Sequence, residues 1–161
     1  MPQNVLPSEG RKNLVVTMVS DELHPIHGFI RNWLSTKGFE VKLFGALLSG
    51  KDESWVTTTA EAARTVVDGT ADAGIFFCWS GTGASMVANK VRGIRAALCT
   101  DAETARLSRV WNHANVLVLS NRSLKEDVAE EILDTWFFGS HDLEKGSFGV
   151  KELTDFENGA L

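Results

Sequence analysis

Short apolar runs alternate with longer amphipathic segments along the chain. Five of the runs are rich in Val, Ile, Leu and Phe with little alternation, which is typical of strands buried on both faces of a parallel sheet. These runs are residues 14–19, 41–44, 74–78, 94–99 and 116–119. Because segments with helical periodicity separate them, the pattern predicts an α/β fold, with a doubly wound five-stranded parallel sheet and helices on both faces.

The predicted helices and domain boundaries follow from the same pattern. The helices cover residues 27–37, 54–67, a segment starting after Gly83, residues 100–111 and residues 123–138. Thr100 and Ser123 each stand three residues before a glutamate, which is the capping-box pattern of a helix start. The chain therefore divides into a flexible N-terminus (1–12), one domain (13–138) and a C-terminal tail (139–161). We expect at most a short helix in the tail, which packs on the domain or on a dimer partner.

The composition narrows the class of protein. A chain of 161 residues, 43% of them hydrophobic, suits one domain with a substantial core. A net charge of −5 argues against general affinity for nucleic acid or anionic membranes. No apolar run reaches transmembrane length, and the N-terminal segment lacks the apolar core of a signal peptide. Cys78 and Cys99 have neither disulfide-framework nor metal-ligand spacing, so we expect a cytoplasmic protein.

The most informative segment runs from residue 74 to residue 90. A predicted strand ends at Cys78, a glycine turn follows over residues 80–83, and a helix starts behind it. Free N–H groups at such a helix N-terminus bind anions or oxyanions, and their partial positive charge favours the thiolate form of a nearby cysteine. A base beside an oxyanion hole is what proton abstraction next to a carbonyl requires. A buried structural cysteine in a glycine-rich turn is the alternative that this segment alone leaves open.

Two better-known glycine motifs are excluded. Met86 takes the place of the third glycine of a dinucleotide fingerprint, and no Gly-Lys-Ser/Thr follows to make a Walker A loop. In doubly wound sheets, sites lie beyond the carboxyl ends of the strands. The loops at that edge are residues 20–24, 45–53, 78–83, 100–101 and 120–122. A thiol, carboxylates, a histidine and an arginine can therefore converge there.

Residues 74–122 resemble the ribose-5-phosphate isomerase B and galactose-6-phosphate isomerase family. The likeness is carried by the segment GIFFCWSGTGASMVANK and continues through GIRAALC, ARLSR and ANVL. It implies a reversible aldose–ketose isomerisation of a sugar phosphate through a cis-enediolate, without metal or other cofactor, at a site shared between the subunits of a dimer. Cys78 matches the base of one subfamily, and Ser80, Gly81 and Gly83 match the loop that stabilises the enediolate.

The resemblance also implies substrate-binding residues, and the chain departs from the family at several of them. Substrate contacts are expected from Asp21, Glu22, Ser85, Asn112 and Arg122. The histidine thought to open the sugar ring aligns with Trp111, which cannot exchange a proton at neutral pH. An Asp-His pair after the first strand becomes Asp21-Glu22, with His24 two residues on. The phosphate-binding arginine pair of the family's tail has no counterpart.

These departures leave three hypotheses. The first is a sugar-phosphate isomerase of the ribose 5-phosphate type, with a shifted substrate. The second is a sugar- or phosphate-binding regulatory protein that keeps the fold and has little turnover. The lost histidine and arginines favour it, and the retained Cys78 beside an intact Gly-x-Gly argues against it. The third is a thiol-nucleophile transferase, which would need a histidine near Cys78.

Overall fold

A computed structural model describes residues 13–160, so the expected flexible N-terminus lies outside the described residues. The prediction of an α/β fold is confirmed: five strands form one all-parallel sheet in the order β2-β1-β3-β5-β4. The strands are β1 (Val15–Ser20), β2 (Glu40–Gly45), β3 (Ala73–Cys78), β4 (Ala96–Leu98) and β5 (Val116–Ser120). The helices are α1 (Pro25–Thr36), α2 (Ala46–Ser49), α3 (Trp55–Val67), α4 (Thr82–Asn89), α5 (Ala102–Asn112), α6 (Glu126–Phe138) and α7 (Glu144–Glu157).

Two hydrophobic layers cover the two faces of the sheet. Apolar side chains of α1, α5 and α6 pack on one face, where Ile30, Leu133 and Trp136 are almost fully buried. The other face packs against α3 and α4, whose contacts are mainly alanines and so allow a close approach. Because successive side chains of a strand point to opposite faces, Phe77 belongs to the first layer and Cys78 to the second.

The expectation that all five strands are buried on both faces is wrong for the two edge strands. Strands β1, β3 and β5 are buried throughout, whereas β2 and β4 are only partly buried. Strand β4 is also shorter than the predicted run 94–99. The Asn89 side chain pairs with the Ala96 backbone through two hydrogen bonds of 2.8 and 2.9 Å, and the Arg95 N–H donates to Asn115. The Asn115 side chain thus takes the place of strand pairing just before β4, whereas Asn89 occupies the outer edge of Ala96, the first residue of that strand.

Two helix starts differ from the capping-box prediction. Helix α5 is capped by Asp101, whose carboxylate accepts the Thr104 N–H at 2.7 Å, and not by Thr100. Helix α6 begins at Glu126, after a Lys125 N-cap that makes no side-chain cap, and not at Ser123. Acidic side chains in the first turn of α6 compensate for the missing cap, because negative charge there interacts favourably with the helix dipole. The N-caps therefore lie one and two residues after the predicted ones.

The C-terminal segment contains a 14-residue helix, so the expectation of at most a short helix is wrong. Helix α7 packs on α5 of the same chain. The His113 ring bonds the Leu143 carbonyl at 2.9 Å, and the Glu157 carboxylate accepts the Gly93 N–H at the other end of the helix. Phe148 and Phe156 remain exposed on its outer side.

The close approach of α7 to α5 rests on one glycine. A Cβ atom at Gly146 would lie closer than 3.0 Å to the carbonyl oxygens of Val110 and Trp111, whereas a Cβ at Gly149, one turn away, would meet nothing within 4 Å. We predict that Gly146→Ala lowers the free energy of unfolding by about 1–3 kcal/mol through overpacking. Gly149→Ala should leave it unchanged or raise it by about 0.5–1 kcal/mol, since alanine favours helix. Urea unfolding measures both, and equal effects would contradict the prediction.

Candidate active site

The carboxyl ends of the three central strands place the predicted site residues on one edge of the sheet. Cys78, the last residue of β3, lies opposite Ser120, the last residue of β5. On the other side of β3, Ser20 ends β1 opposite Phe77. The loops that follow bring Asp21, Glu22, residues 80–83 and Arg122 to this edge, as expected from the topology of such sheets.

Backbone hydrogen bonds fix the position of Cys78. The Asn121 N–H donates to the Cys78 carbonyl oxygen at 3.0 Å, and the Arg122 N–H donates to the Trp79 carbonyl oxygen at 3.0 Å. The Ser120 hydroxyl donates to the same Trp79 oxygen at 3.0 Å. The Cys78 side chain is 6% exposed and faces α3 and α4. The thiol is therefore held beside the start of α4, with a small opening to solvent.

The turn after Cys78 requires glycine at position 81. Gly81 has a φ angle of +79°, and a Cβ atom there would lie 2.5 Å from Leu98 Cδ1. It forms the N-cap of α4, and the first bond within the helix runs from the Ser85 N–H to the Gly81 carbonyl at 3.1 Å. The N–H groups of residues 82–84 are therefore left without a partner inside the helix. The donors expected over residues 80–83 lie about one residue further along.

The surroundings of the turn combine hydroxyl groups with an aromatic ring. The Ser80 and Thr82 hydroxyls lie 2.7 Å apart, and half-buried Ser85 occupies the first turn of the helix. The indole of Trp55 lies against the turn, since a Cβ atom on Gly83 would be 3.0 Å from its Cε3. Hydrogen-bond donors and an aromatic ring thus meet at this turn.

The first of the two predicted carboxylates has an unused acceptor. Asp21 Oδ1 is buried and has no hydrogen-bond partner within the described part of the chain. Its burial, with the nearby Glu22 and Asp52 carboxylates, raises the pKa of Asp21. The Glu53 N–H donates to the Asp21 carbonyl oxygen at 2.9 Å and ties the loop after β1 to the loop before α3. A buried acceptor of this kind suits a hydroxyl donor on a ligand.

A polar network runs beneath the second carboxylate. The buried His27 ring bonds Asn121 Oδ1 through Nε2 at 2.7 Å and accepts the His24 N–H at Nδ1. Asn121 Nδ2 donates to Ser20 Oγ at 3.2 Å and to Glu22 Oε1 at 3.4 Å. Burial lowers the pKa of His27, which favours the neutral ring that both bonds require. The network fixes the Glu22 carboxylate at the sheet edge.

His24 forms the outer end of this network; the sequence placed it two residues past the Asp21-Glu22 pair without making it one of the predicted site residues. Its Nε2 lies 3.4 Å from Glu22 Oε1, and its ring centroid is 5.5 Å from that of Trp79. His24, His27 and Asn121 all stand in loops or helix starts at the correct sheet edge, and that position is the one signal in the sequence that could have selected them.

Asn112 is not brought to this edge. It ends α5, which runs back to the amino end of β5, where Val116 lies opposite Gly74. Four residues of strand, about 13 Å, separate that end of β3 from Cys78. Trp111 lies beside Asn112 and is half-exposed. Within one chain, the structure therefore unites the other predicted site residues and leaves Asn112 apart.

The second cysteine differs from the first. Cys99 lies in the core, and burial raises the pKa of its thiol to about 11. Such a thiol is almost entirely protonated at neutral pH and is a poor base.

Among residues 13–160, no cluster of three or more His, Cys, Asp or Glu side chains could hold a metal ion, and no helix has the length and apolar content to cross a membrane.

A family model described as Ribose/Galactose Isomerase matches residues 16–151. The chain belongs to this family. The resemblance read from residues 74–122 is thereby confirmed, and the match extends over nearly all of the described fold, including most of α7.

Individual relatives agree with this assignment. D-erythrulose-4-phosphate isomerase of Pectobacterium atrosepticum is 35% identical over 107 residues, which are 66% of this chain and 70% of that protein. Ribose-5-phosphate isomerase B of Escherichia coli is 35% identical over 98 residues, or 61% and 66% of the two chains. The solved structure of Clostridium thermocellum ribose-5-phosphate isomerase B has a TM-score of 0.81 at 32% identity, covering 92% of this chain and 100% of that one. All three of these relatives are named as isomerases of sugar phosphates.

Proposed function

We propose that this protein interconverts an aldose phosphate and a ketose phosphate of the ribose 5-phosphate and ribulose 5-phosphate type, with Cys78 as the base. The observation that carries the proposal is the position of the Cys78 thiol beside the free N–H groups at the start of α4. A base next to an oxyanion-binding site supplies what proton transfer between two carbons next to a carbonyl requires.

The chemistry proceeds through a cis-enediolate. The Cys78 thiolate takes the proton from C2 of the open-chain aldose, and the C–H electron pair forms the C1=C2 double bond. The carbonyl electron pair moves to O1, where N–H groups from the turn of residues 80–83 and the start of α4 stabilise the charge. The Cys78 thiol then returns the proton to C1, which gives the ketose.

The remaining carboxyl-edge residues bind the substrate in this proposal. The unpartnered Asp21 Oδ1 accepts a sugar hydroxyl, and Glu22 and Ser85 add further polar contacts. Exposed Arg122, directly after β5, is the cation of this edge that meets the phosphate. A guanidinium binds phosphate through paired hydrogen bonds, so a single well-placed arginine supplies part of the affinity of the family's larger cation set.

We also propose that the working form is a homodimer with shared sites. Asn112 and Trp111 lie at the edge opposite Cys78, so they reach such a site only on a second copy of the chain. Exposed Phe148, Phe156 and Trp111 give this end of the molecule an apolar surface that a partner would cover.

Two buried, unpaired cysteines suit a reducing compartment, which supports a cytoplasmic location.

A regulatory protein with little turnover is the second candidate. Trp111 and the absent tail arginines favour it. The intact geometry around Cys78 favours catalysis, because a protein that only binds has no need of a thiol beside free N–H groups.

The role of Cys78 is tested by Cys78→Ser. We predict that kcat falls by about 10²–10⁴-fold while KM changes little, because a hydroxyl is far too weak a base. The assay is isomerisation of a panel of pentose, hexose and tetrose phosphates, with deuterium uptake at C1 or C2 in deuterated water. Cys99→Ala is the matched control and should keep its activity. Near-normal turnover in Cys78→Ser would remove the mechanism, and no deuterium uptake by the wild type would favour the regulatory protein.

The shared site is tested by mixing two inactive variants. Cys78→Ser and Asn112→Ala should each be impaired alone. If each site joins Cys78 of one chain to Asn112 of another, random exchange of subunits restores about a quarter of the sites, because mixed dimers carry one intact site. Activity after subunit exchange, followed beside sedimentation at micromolar concentration, measures this. Sedimentation as a monomer, or no recovery in confirmed mixed dimers, would contradict the proposal.

The indole at position 111 leads to a prediction about the substrate. An indole cannot pass a proton to a ring oxygen at neutral pH, so we expect the protein to act on open-chain sugars. A four-carbon sugar phosphorylated on its terminal oxygen has no hydroxyl left to close a five-membered ring, and one relative is named a D-erythrulose-4-phosphate isomerase. We predict a higher kcat/KM for erythrose 4-phosphate than for ribose 5-phosphate, and a selective gain on ribose 5-phosphate in Trp111→His. Strong wild-type activity on ribose 5-phosphate, unchanged by the substitution, would contradict this.

A further inference from the structure

Isomerisation requires a second proton transfer that Cys78 and the N–H groups at the start of α4 do not perform. Cys78 moves a proton between carbons, but the proton on O2 of the aldose must also reach O1 for the ketose to form. Backbone N–H groups stabilise negative charge without exchanging protons at neutral pH, and the same holds for the indole of Trp111. A group with accessible acid and base forms is needed at the carboxyl edge.

We propose that His24, held by Glu22, carries this transfer between O1 and O2 of the substrate. The inference rests on the proposed function and deepens it. It assigns a role to a side chain that lies outside the family motif and at the same sheet edge as Cys78.

The position of His24 is the first argument. Its ring lies 5.5 Å from the ring of Trp79, the residue that directly follows Cys78. Its side chain is 25% exposed, so it is partly desolvated and still open to a ligand. His24 and Asn121 together line a cleft of about 620 Å³ at the carboxyl edge.

The orientation of the ring is the second argument. Glu22 Oε1 lies 3.4 Å from His24 Nε2 and favours a proton on that nitrogen. The His27 N–H faces the His24 side chain in the capping box at the start of α1, but its own hydrogen bond, of 3.1 Å, goes to the His24 carbonyl oxygen. A substrate hydroxyl can therefore take the place beside Nδ1. A carboxylate on one nitrogen and a reacting hydroxyl on the other is the arrangement that orients catalytic histidines.

The network beneath the pair is the third argument, because three hydrogen bonds from Ser20 and Asn121 hold Glu22. Asn121 Nδ2 donates to the carboxylate, and the Ser20 hydroxyl both donates to the Glu22 carbonyl at 2.6 Å and accepts the Glu22 N–H. Asn121 is in turn oriented by buried His27 at 2.7 Å. Asn121 and His27 are therefore positioning residues, since they act on the pair through Glu22.

The step balances without another reactant. After Cys78 has taken the C2 proton, the enediolate carries a negative O1 and a protonated O2. Neutral His24 Nδ1 takes the O2 proton and the resulting imidazolium gives it to O1. The O2 electron pair then forms the C2=O2 bond as the Cys78 thiol protonates C1, and both side chains return to their starting states.

The charged groups around His24 are mixed in sign. Glu22 and Asp21 face it from its own loop, and the neutral ring of His27 from α1. The walls of the two clefts that it lines add Arg31, Lys125, Glu126 and Asp127.

The test compares two rates in deuterated water: conversion of aldose to ketose, and deuterium uptake at C2 of the recovered aldose. His24→Gln should lose about 10²-fold or more in conversion while keeping most of the uptake, because Cys78 still forms the enediolate. His24→Asn, whose side chain also caps a helix well, should behave alike and exclude misfolding as the cause.

Leu23→Ala is the matched control, since this exposed side chain lies in the same loop between Glu22 and His24. It should leave both rates unchanged. A proportional fall of both rates in the His24 variants would overturn the proposal, and a rise in KM alone would instead make His24 a phosphate contact. Cys78→Ser loses both rates if the proposed function holds. Absence of uptake in the wild type would overturn the proposed function itself, and this inference with it.

Discussion

The parallel register of β1, β3 and β5 is the constraint on which the site depends. It ends three buried strands at nearly the same level, so that the residues beyond them meet without long loops. The hydrogen bonds from Asn121 and Arg122 to the carbonyl oxygens of Cys78 and Trp79 then bind the end of β5 to the end of β3. A shift of one residue in this pairing would turn the thiol towards the opposite helical layer and remove it from α4.

The polar groups at this edge are graded from neutral to charged. His27 and Asn121 are buried and form neutral hydrogen bonds, and Glu22 and His24 follow where water begins to reach. Such an order avoids the cost of a fully buried ion pair and still gives the outer pair a rigid support. The outer pair of Glu22 and His24 is thereby supported by hydrogen-bonded side chains beneath it.

The parts of the fold that rest on burial could be predicted from the sequence, and those that rest on particular side-chain bonds could not. Strands β1, β3 and β5 read clearly because both of their faces are apolar. The start of β4 depends on a hydrogen bond from Arg95 to the Asn115 side chain, and the start of α5 depends on Asp101, where a neighbouring threonine offered an equally good pattern. Helix α7 was missed because its glycines weaken the helical signal, although Gly146 is what lets it sit on α5.

The same division applies to the site. Cys78 and the glycine turn stand together in the sequence, so their proximity could be read directly. His27 and Asn121 are 94 residues apart, and their bond exists only because β1 and β5 flank the same strand. Asn112 shows the converse, since a matching motif identified the residue while only the topology reveals that it lies at the other edge.

The pairing of Asn89 with Ala96 also limits how copies of this chain can associate. An exposed sheet edge normally offers its N–H and C=O groups to the strand of another molecule. Here an amide side chain occupies that edge of β4 as a strand would, with one donor and one acceptor. Continuous sheets across two molecules are thus disfavoured on this side, and association is left to the helices, whose exposed aromatic side chains can select one geometry. A single side chain in this way blocks the N–H and C=O groups of Ala96 at the β4 edge from pairing with another molecule.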